Sequence, residues 1–224
     1  MIHNKINVFN VETLHGQFQS FDGGPAIAEV IKFVKLYQLY SSAANELFTK
    51  LENLDSEFQV MHDYNPIHAI DSRMKTPQSL LDKLNRKKIK VTAANVQAKI
   101  YDVAGLRVIT NYLNDIYTIR DLLVNESDIE LIKEKDYLKN PKSSGYRSLH
   151  LVLAIPVFQS TGLKKVPVEI QIRTIGMDMW ASLEHKLRYK NSDDSITKYA
   201  QKLEDYANQL LAIEQGMQVI QQNL

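Results

Sequence analysis

The stretch Val166–Leu187, VPVEIQIRTIGMDMWASLEHKL, decides how the chain is read. Its first half alternates strictly: Val166, Val168, Ile170 and Ile172 fall on one side, and Glu169, Gln171 and Arg173 on the other. That period of two describes a strand with one face in an apolar core. The second half turns helical, with Trp180, Leu183 and Leu187 on one face and Asp178, Ala181, Ser182 and His185 on a more polar one. The polar side of the strand has two readings. It is the solvated outer face of an antiparallel strand, or it is a carboxylate, an amide and a guanidinium held on a rigid element to build a site.

The chain around it has 224 residues, room for one large domain or for a domain with helical extensions. Its composition, 44% hydrophobic and 24% charged, is that of a globular protein able to fill a sizeable core. A net charge of +1 argues against a generally basic nucleic-acid binder, so RNA is not an expected partner and any phosphate must be recognised by local clusters. The absence of cysteine removes disulfides, thiolate nucleophiles and cysteine zinc sites. The opening residues MIHNKINVFN lack a signal-peptide pattern, and no apolar run reaches membrane-spanning length. The expectation is a cytosolic protein without a membrane partner.

Residues 1–24 read as a loosely attached leader ending in the breaker FDGG, before a Pro25 suited to a helix start. Apolar residues from Ile27 to Phe58 then keep helical spacing, giving one long helix or two end to end. NPIHAIDSRMK is expected to form a loop turning about Pro66, with His62, Asp63 and His68 as weak metal-ligand candidates. Next, Thr76 can cap a helix that begins at Pro77 and buries Leu80, Leu81 and Leu84. Ser79 and Lys83 share another face, which Arg86 or Lys87 extends. Arg73 and Lys75 lie just before the helix N-terminus, where backbone N–H groups already favour an anion. Such a row suits a polyphosphate, although a merely solvated basic face has the same pattern.

IYDVAGLRVITNY, residues 100–112, reads as a strand in which Gly105 lies between Asp102 and Arg107. Glycine inside a strand marks a bulge or the close approach of a ligand. A helix is expected over 114–125 and a strand over 129–138, followed by the polar loop KNPKSSG. In YRSLHLVLAIPV, Tyr146, Ser148 and His150 share one face, opposite Leu149, Leu151 and Leu153. The ring and imidazole invite base stacking, and equally describe an interfacial tyrosine with a hydrogen-bonded histidine. Finally, Tyr199, Leu203, Tyr206, Leu210, Ile213, Met217, Ile220 and Leu224 form a heptad seam for another helix, either the N-terminal one or that of another subunit.

These readings give an α+β fold: a mixed β-sheet flanked by helices, with N- and C-terminal helical extensions. The chain divides into 1–60 (leader and helical region), 61–190 (the chemistry-bearing domain) and 195–224 (a C-terminal helix for oligomerisation). Asp102 and Glu169 are candidate Mg²⁺-associated carboxylates. Arg73, Lys75, Lys83 and Arg86 are candidate phosphate contacts, and Tyr146 a base platform. The chemistry is that of nucleotide polyphosphates, with the reaction left open.

RMKTPQSLLDKLNRK, DVAGLRV, KSSGYRSLHL, VEIQIRT and MDMWASLEHKLRYK resemble, in order, the motifs of the RelA/SpoT-type (p)ppGpp synthetase domain. Lacking hydrolase, TGS and ACT regions, the chain is similar to the small alarmone synthetases. YNPIH, YLNDIY and RTIGMDMWASLEHKLRYKN look most like the RelP branch rather than the RelQ branch. The resemblance implies a nucleotidyltransferase-like fold and transfer of the β,γ-pyrophosphate of ATP to the 3′-hydroxyl of GDP or GTP, releasing AMP. It implies that Arg73 and Arg107 sandwich adenine, and that Lys75, Ser79, Lys83 and Arg86 hold the ATP phosphates. Asp102 would ligate Mg²⁺, with Glu169 assisting the metal or taking the 3′-hydroxyl proton. Tyr146 would stack on guanine, with Lys142, His150 and Gln171 near the acceptor. Asp178 and Lys135 occupy acceptor-side positions where the RelQ branch carries Asn and Arg. A homotetramer joined through the helical extensions is also implied. Two other readings stay open: a different nucleotidyltransferase reaction such as AMP transfer, and a non-catalytic nucleotide- or RNA-binding module using the Lys83–Lys90 run.

Overall fold

The computed structural model describes residues 24–190 and 199–223; the expected leader and Leu224 lie outside the described residues. Val166, Val168, Ile170 and Ile172 are buried as the alternation requires. They belong to β5 (Gly162–Thr174), the middle strand of a five-stranded sheet in the order β1-β2-β5-β4-β3. The other strands are β1 (Ile67–Met74), β2 (Ala104–Thr110), β3 (Glu130–Asp136) and β4 (Leu149–Gln159). β2 and β5 run parallel, and every other pair is antiparallel.

The helices are α1 (Gly24–Met61), α2 (Pro77–Arg86), α3 (Ala93–Lys99), α4 (Leu113–Val124), α5 (Ile175–Lys190) and α6 (Ala200–Gln222). α1 is one continuous helix, and it lies against the apolar sheet face through Leu36, Tyr40, Ala43, Ala44, Leu47 and Leu51. These residues recur at helical spacing, and each wholly buried leucine contributes about 2 kcal/mol of transfer free energy. Thr76 caps α2 as expected, accepting a hydrogen bond from Ser79 N–H, with Pro77 in the first turn and Leu80 and Leu84 buried; Leu81 is only half-buried.

Three expectations are corrected. The segment expected to be a loop after Pro66 is strand β1, paired with β2 along its length. Its sequence IHAIDSRM has no clean alternation because it is an edge strand, ordered by its ladder to β2 and by Asn65, whose side chain accepts from Ile67 N–H. The apolar face expected on α5 is buried only at Trp180; Leu183 and Leu187 remain about half exposed, 53% and 48%. The C-terminal seam packs within the chain on α5, not on α1. Leu203 and Leu210 are half-buried there beside Ala207, while Tyr206, Ile213, Met217 and Ile220 stay exposed. α3, not expected from the sequence, is capped by Thr92 and tied to α1 by the Glu29 carboxylate, which accepts from Ala93 N–H.

The register positions the site. One residue from each strand aligns across the sheet in the row Asp71, Arg107, Gln171, His150 and Lys135. Two residues along runs a second row, Arg73, Gly105, Glu169, Val152 and Lys133. Paired residues point to the same side of a sheet, so both rows face away from the α1 core.

Candidate active site

Asp102, in the turn before β2, is gripped by two cations. Its Oδ2 is 2.6 Å from Lys83 Nζ and 3.1 Å from Lys75 Nζ. Lys83 is presented by the capped helix α2. Lys75 is held by its backbone, its N–H donating to Val103 O and its carbonyl accepting from the Tyr37 hydroxyl. Burial alone would push the Asp102 carboxyl up, but the two lysines outweigh it and hold the group below the usual carboxylate range. The second oxygen, Oδ1, is buried with no hydrogen-bond partner. Glu169, from the middle strand, sits 3.7 Å from His150 Nδ1 and accepts from Gln171 Nε2 at 3.2 Å. It too is pushed up by burial and brought below its ordinary value, mainly by His150, although the charge of Asp102 opposes this. Glu169 on the sheet and Asp102 in the turn beside it are thus close enough to feel one another.

An orphaned carboxylate oxygen beside a second carboxylate suits a hard divalent cation. Mg²⁺ takes oxygen ligands and is commonly held by one or two carboxylates together with substrate phosphates. Among the described residues no cluster of three or more His, Asp or Glu side chains would hold a metal by itself. Asp102 and Glu169 therefore fit an ion that shares its coordination with a polyphosphate.

On one side of this pair opens a cleft of about 730 Å³, lined by Arg73, Arg107, Lys142, Tyr146, His150, Gln171 and Arg173, with Ala181, Ser182 and His185 of α5 as its far wall. Arg173 organises it. Nearly buried, it donates to Tyr146 OH (2.7 Å), Gln171 Oε1 (2.8 Å), Asp178 Oδ1 (3.1 Å) and, more weakly, Ser148 Oγ (3.4 Å). Tyr146 OH also lies 2.8 Å from His150 Nε2. That hydroxyl, which accepts from Arg173, thus links the guanidinium to the His150 ring and through it to Glu169. Lys142 Nζ lies 4.5 Å from the Tyr146 ring centroid. The loop that carries both turns through Gly145, whose φ of +84° disfavours any other residue. A Cβ there would also meet Ala207 of α6 at 2.7 Å, so the loop lies hard against the C-terminal helix.

A smaller cavity of about 130 Å³ joins Arg73 and Arg107 to Asp102 and Glu169, with Gly105 leaving its floor open. Beyond the carboxylates lies a third, of about 160 Å³, lined by Lys83, Lys87, Lys99, Lys133 and Lys135. Among the described residues no ion pair holds Lys87, Lys99, Lys133 or Lys135. A cluster of like charges without carboxylate partners is stabilised by an anion. The whole is a cleft with flat cations and an aromatic ring at one end, ammonium groups at the other, and two carboxylates at the junction.

Of the residues singled out from the sequence, Arg73, Arg107, Lys142, Tyr146, His150 and Gln171 line the large cleft, and Lys75 and Lys83 meet on Asp102. Lys135 lines the lysine cavity, and Asp178 stands behind two arginines. Ser79 and Arg86 are exposed on α2 and line none of the three cavities. Sequence reasoning missed Lys99, Lys133 and the role of Arg173 as a hub, whereas Lys87, read as extending the basic face of α2, does line the lysine cavity. Lys133 was findable, two residues from Lys135 on a strand; nothing local marked Lys99.

The family model described as a region found in RelA / SpoT proteins matches residues 72–194. The GTP pyrophosphokinase YwaC of Bacillus subtilis is 40% identical over 169 residues, covering 75% of this chain and 80% of the relative. The GTP pyrophosphokinase YjbM of the same organism is 34% identical over 181 residues, covering 81% and 84%. Among solved structures, small alarmone synthetase 1 from Bacillus subtilis, bound to its product pppGpp, superposes with a TM-score of 0.75 at 32% identity, covering 83% of this chain and 94% of that one.

Proposed function

The chain belongs to the RelA/SpoT family, and from that premise we propose that it is a (p)ppGpp synthetase, transferring the β,γ-pyrophosphate of ATP to the 3′-hydroxyl of GDP or GTP and releasing AMP. The observation that carries this reading is the position of Asp102 and Glu169 between a purine-sized cleft and a lysine-lined cavity. A donor and an acceptor nucleotide can enter from the cleft with their phosphate chains converging on the carboxylates.

In this reading adenine lies between Arg73 and Arg107, and Lys75 and Lys83 exchange Asp102 for the phosphates of ATP. Guanine stacks on Tyr146, whose ring Lys142, His150 and Arg173 hold in place. Lys135, with Lys133 beside it on the sheet, neutralises acceptor phosphates. Asp102 and Glu169 would hold Mg²⁺, which supplies charge neutralisation on the phosphate oxygens when bound. The 3′-oxygen forms a bond to the β-phosphorus as the bond between that phosphorus and the α,β-bridging oxygen breaks, and the bridging oxygen leaves with AMP. Glu169, ionised at neutral pH, is the group placed to take the 3′-hydroxyl proton, with His150 and Gln171 fixing its orientation. Catalysis is then alignment and charge neutralisation of an in-line transfer.

The working unit is a homotetramer in the cytosol. Support for assembly comes from Tyr206, Ile213, Met217 and Ile220, exposed along α6, and from Leu183 and Leu187, about half exposed on α5. No helix among the described residues is long and apolar enough to cross a membrane. The reaction is tested with Mg²⁺, ATP labelled at the γ-phosphate, and GDP or GTP. Label on guanosine tetra- or pentaphosphate with matching AMP is expected. Nucleotide binding without labelled guanosine product would overturn the assignment.

A further inference from the structure

Asp178 stands in the first turn of α5, the helix that walls the guanine side of the cleft, yet one of its oxygens serves two arginines from different strands. Oδ1 lies 3.2 Å from Arg107 Nη1 on β2 and 3.1 Å from Arg173 Nη1 on β5. The two arginines do not depend on it equally. Arg173 is nearly buried and keeps three other acceptors, on Tyr146, Gln171 and Ser148. Arg107 has no other ion pair among the described residues, and its Nε is buried without a hydrogen-bond partner.

A guanidinium serves as a stacking surface only when its plane is fixed. Strand β2 fixes the backbone of Arg107, but a flexible stem separates that backbone from the charged plane. Asp178 is the ion-pair partner that fixes the far end. We infer that Asp178 is a positioning residue for ATP: it sets the plane of Arg107 against adenine, and through the same oxygen ties that plane to Arg173 and the Tyr146 hydroxyl. Donor and acceptor subsites then share one carboxylate. The inference rests on the reading of Arg107 as an adenine platform.

An asparagine at this position keeps the size and an acceptor oxygen but loses the charge that makes the ion pair with Arg107. The test is calorimetric titration of the full chain with Mg²⁺ and a non-hydrolysable α,β-methylene ATP analogue, with no guanine nucleotide present. The variants are Asp178→Asn, Arg107→Ala and their double, with thermal melts as a check of folding. Asp178→Asn is expected to weaken analogue binding about three- to tenfold, Arg107→Ala at least as much, and the double no more than Arg107→Ala alone. Unchanged binding in Asp178→Asn beside a weakened Arg107→Ala would overturn the inference and leave the adenine reading standing. Equal losses from Asp178→Asn with and without Arg107 would overturn it as well, since Asp178 would then act by another route. Unchanged binding in Arg107→Ala would remove the adenine platform, and the inference with it. Should Asp178→Asn unfold, Asp178→Glu replaces it, keeping the charge but displacing the carboxylate, with the same comparison against Arg107→Ala.

Discussion

In the large cleft Arg107 and Arg173 are pinned, and in the cavity beyond the carboxylates the lysines are loose. Arg173 is nearly buried beneath four acceptors, and Arg107 is anchored to Asp178. Lys87, Lys99, Lys133 and Lys135 line their cavity without carboxylate partners among the described residues. In the proposed function the difference follows from what each end has to hold. A base is recognised by flat groups at set angles, so the platform has to be rigid before the ligand arrives. A polyphosphate is a pliable anion that many ammonium arrangements satisfy, so long flexible side chains suffice there. Asp102 stands between the two regimes, neutralised by Lys75 and Lys83, which are also the cations best placed to meet incoming phosphates.

The largest effect is expected at the junction. Glu169→Gln keeps shape and hydrogen bonding but removes the base, so turnover should fall about 10²- to 10⁴-fold while ATP-analogue affinity changes little; wild-type-like turnover would take Glu169 out of the mechanism. The pH profile sharpens this. Both carboxylates are held below their ordinary values, so their protonation does not limit turnover at neutral or mildly acidic pH. An acid limb well above pH 5 would belong to another group. The sign for stability is the same: the lowered value at Asp102 contributes stability that is present at neutral pH and lost as the pH falls through the folded-state value.

Next comes the rigid end. Tyr146→Ala should cost about 1–3 kcal/mol of acceptor binding, seen as a raised KM for GDP or GTP, with ATP-analogue affinity nearly intact. Loss of ATP affinity instead would move Tyr146 to the donor side. Gly145→Ala tests the seating of the same loop. It forces a side chain into a positive-φ position already pressed on Ala207, so a thermal melt should show a loss of about 1–2 kcal/mol. An unchanged melting temperature would mean that the loop does not bear on α6. The smallest effect belongs to the loose end. Lys133→Ala should weaken acceptor binding by less than about 1 kcal/mol, and rising salt should erase the difference. A salt-insensitive loss exceeding that of Tyr146→Ala would break the contrast between the two ends.

Periodicity and local chemistry determined much of this molecule before any contact was known. The buried and polar faces of β5 and the capped helix at Thr76 follow from positions two or three to four residues apart, the range over which backbone geometry alone dictates orientation. That is why Glu169 and Gln171 were legible as residues facing the cavities. Tyr146, expected on a strand face with His150, lies in the loop before β4, and its side chain reaches His150 from there. Tertiary pairing decided what lies beyond that range. IHAIDSRM is a strand because β2 offers it a ladder. Leu183 and Leu187 remain about half exposed because α6 covers α5 around Trp180 instead. Lys133 stands in the row of Glu169 only through the β3–β4 and β4–β5 registers. Asp178 meets Arg107, some seventy residues earlier in the chain, only because parallel pairing of β2 with β5 places Arg107 beside the start of α5. A sequence states which way a side chain points; which partner waits there is set by strand order and register, and these belong to the whole fold.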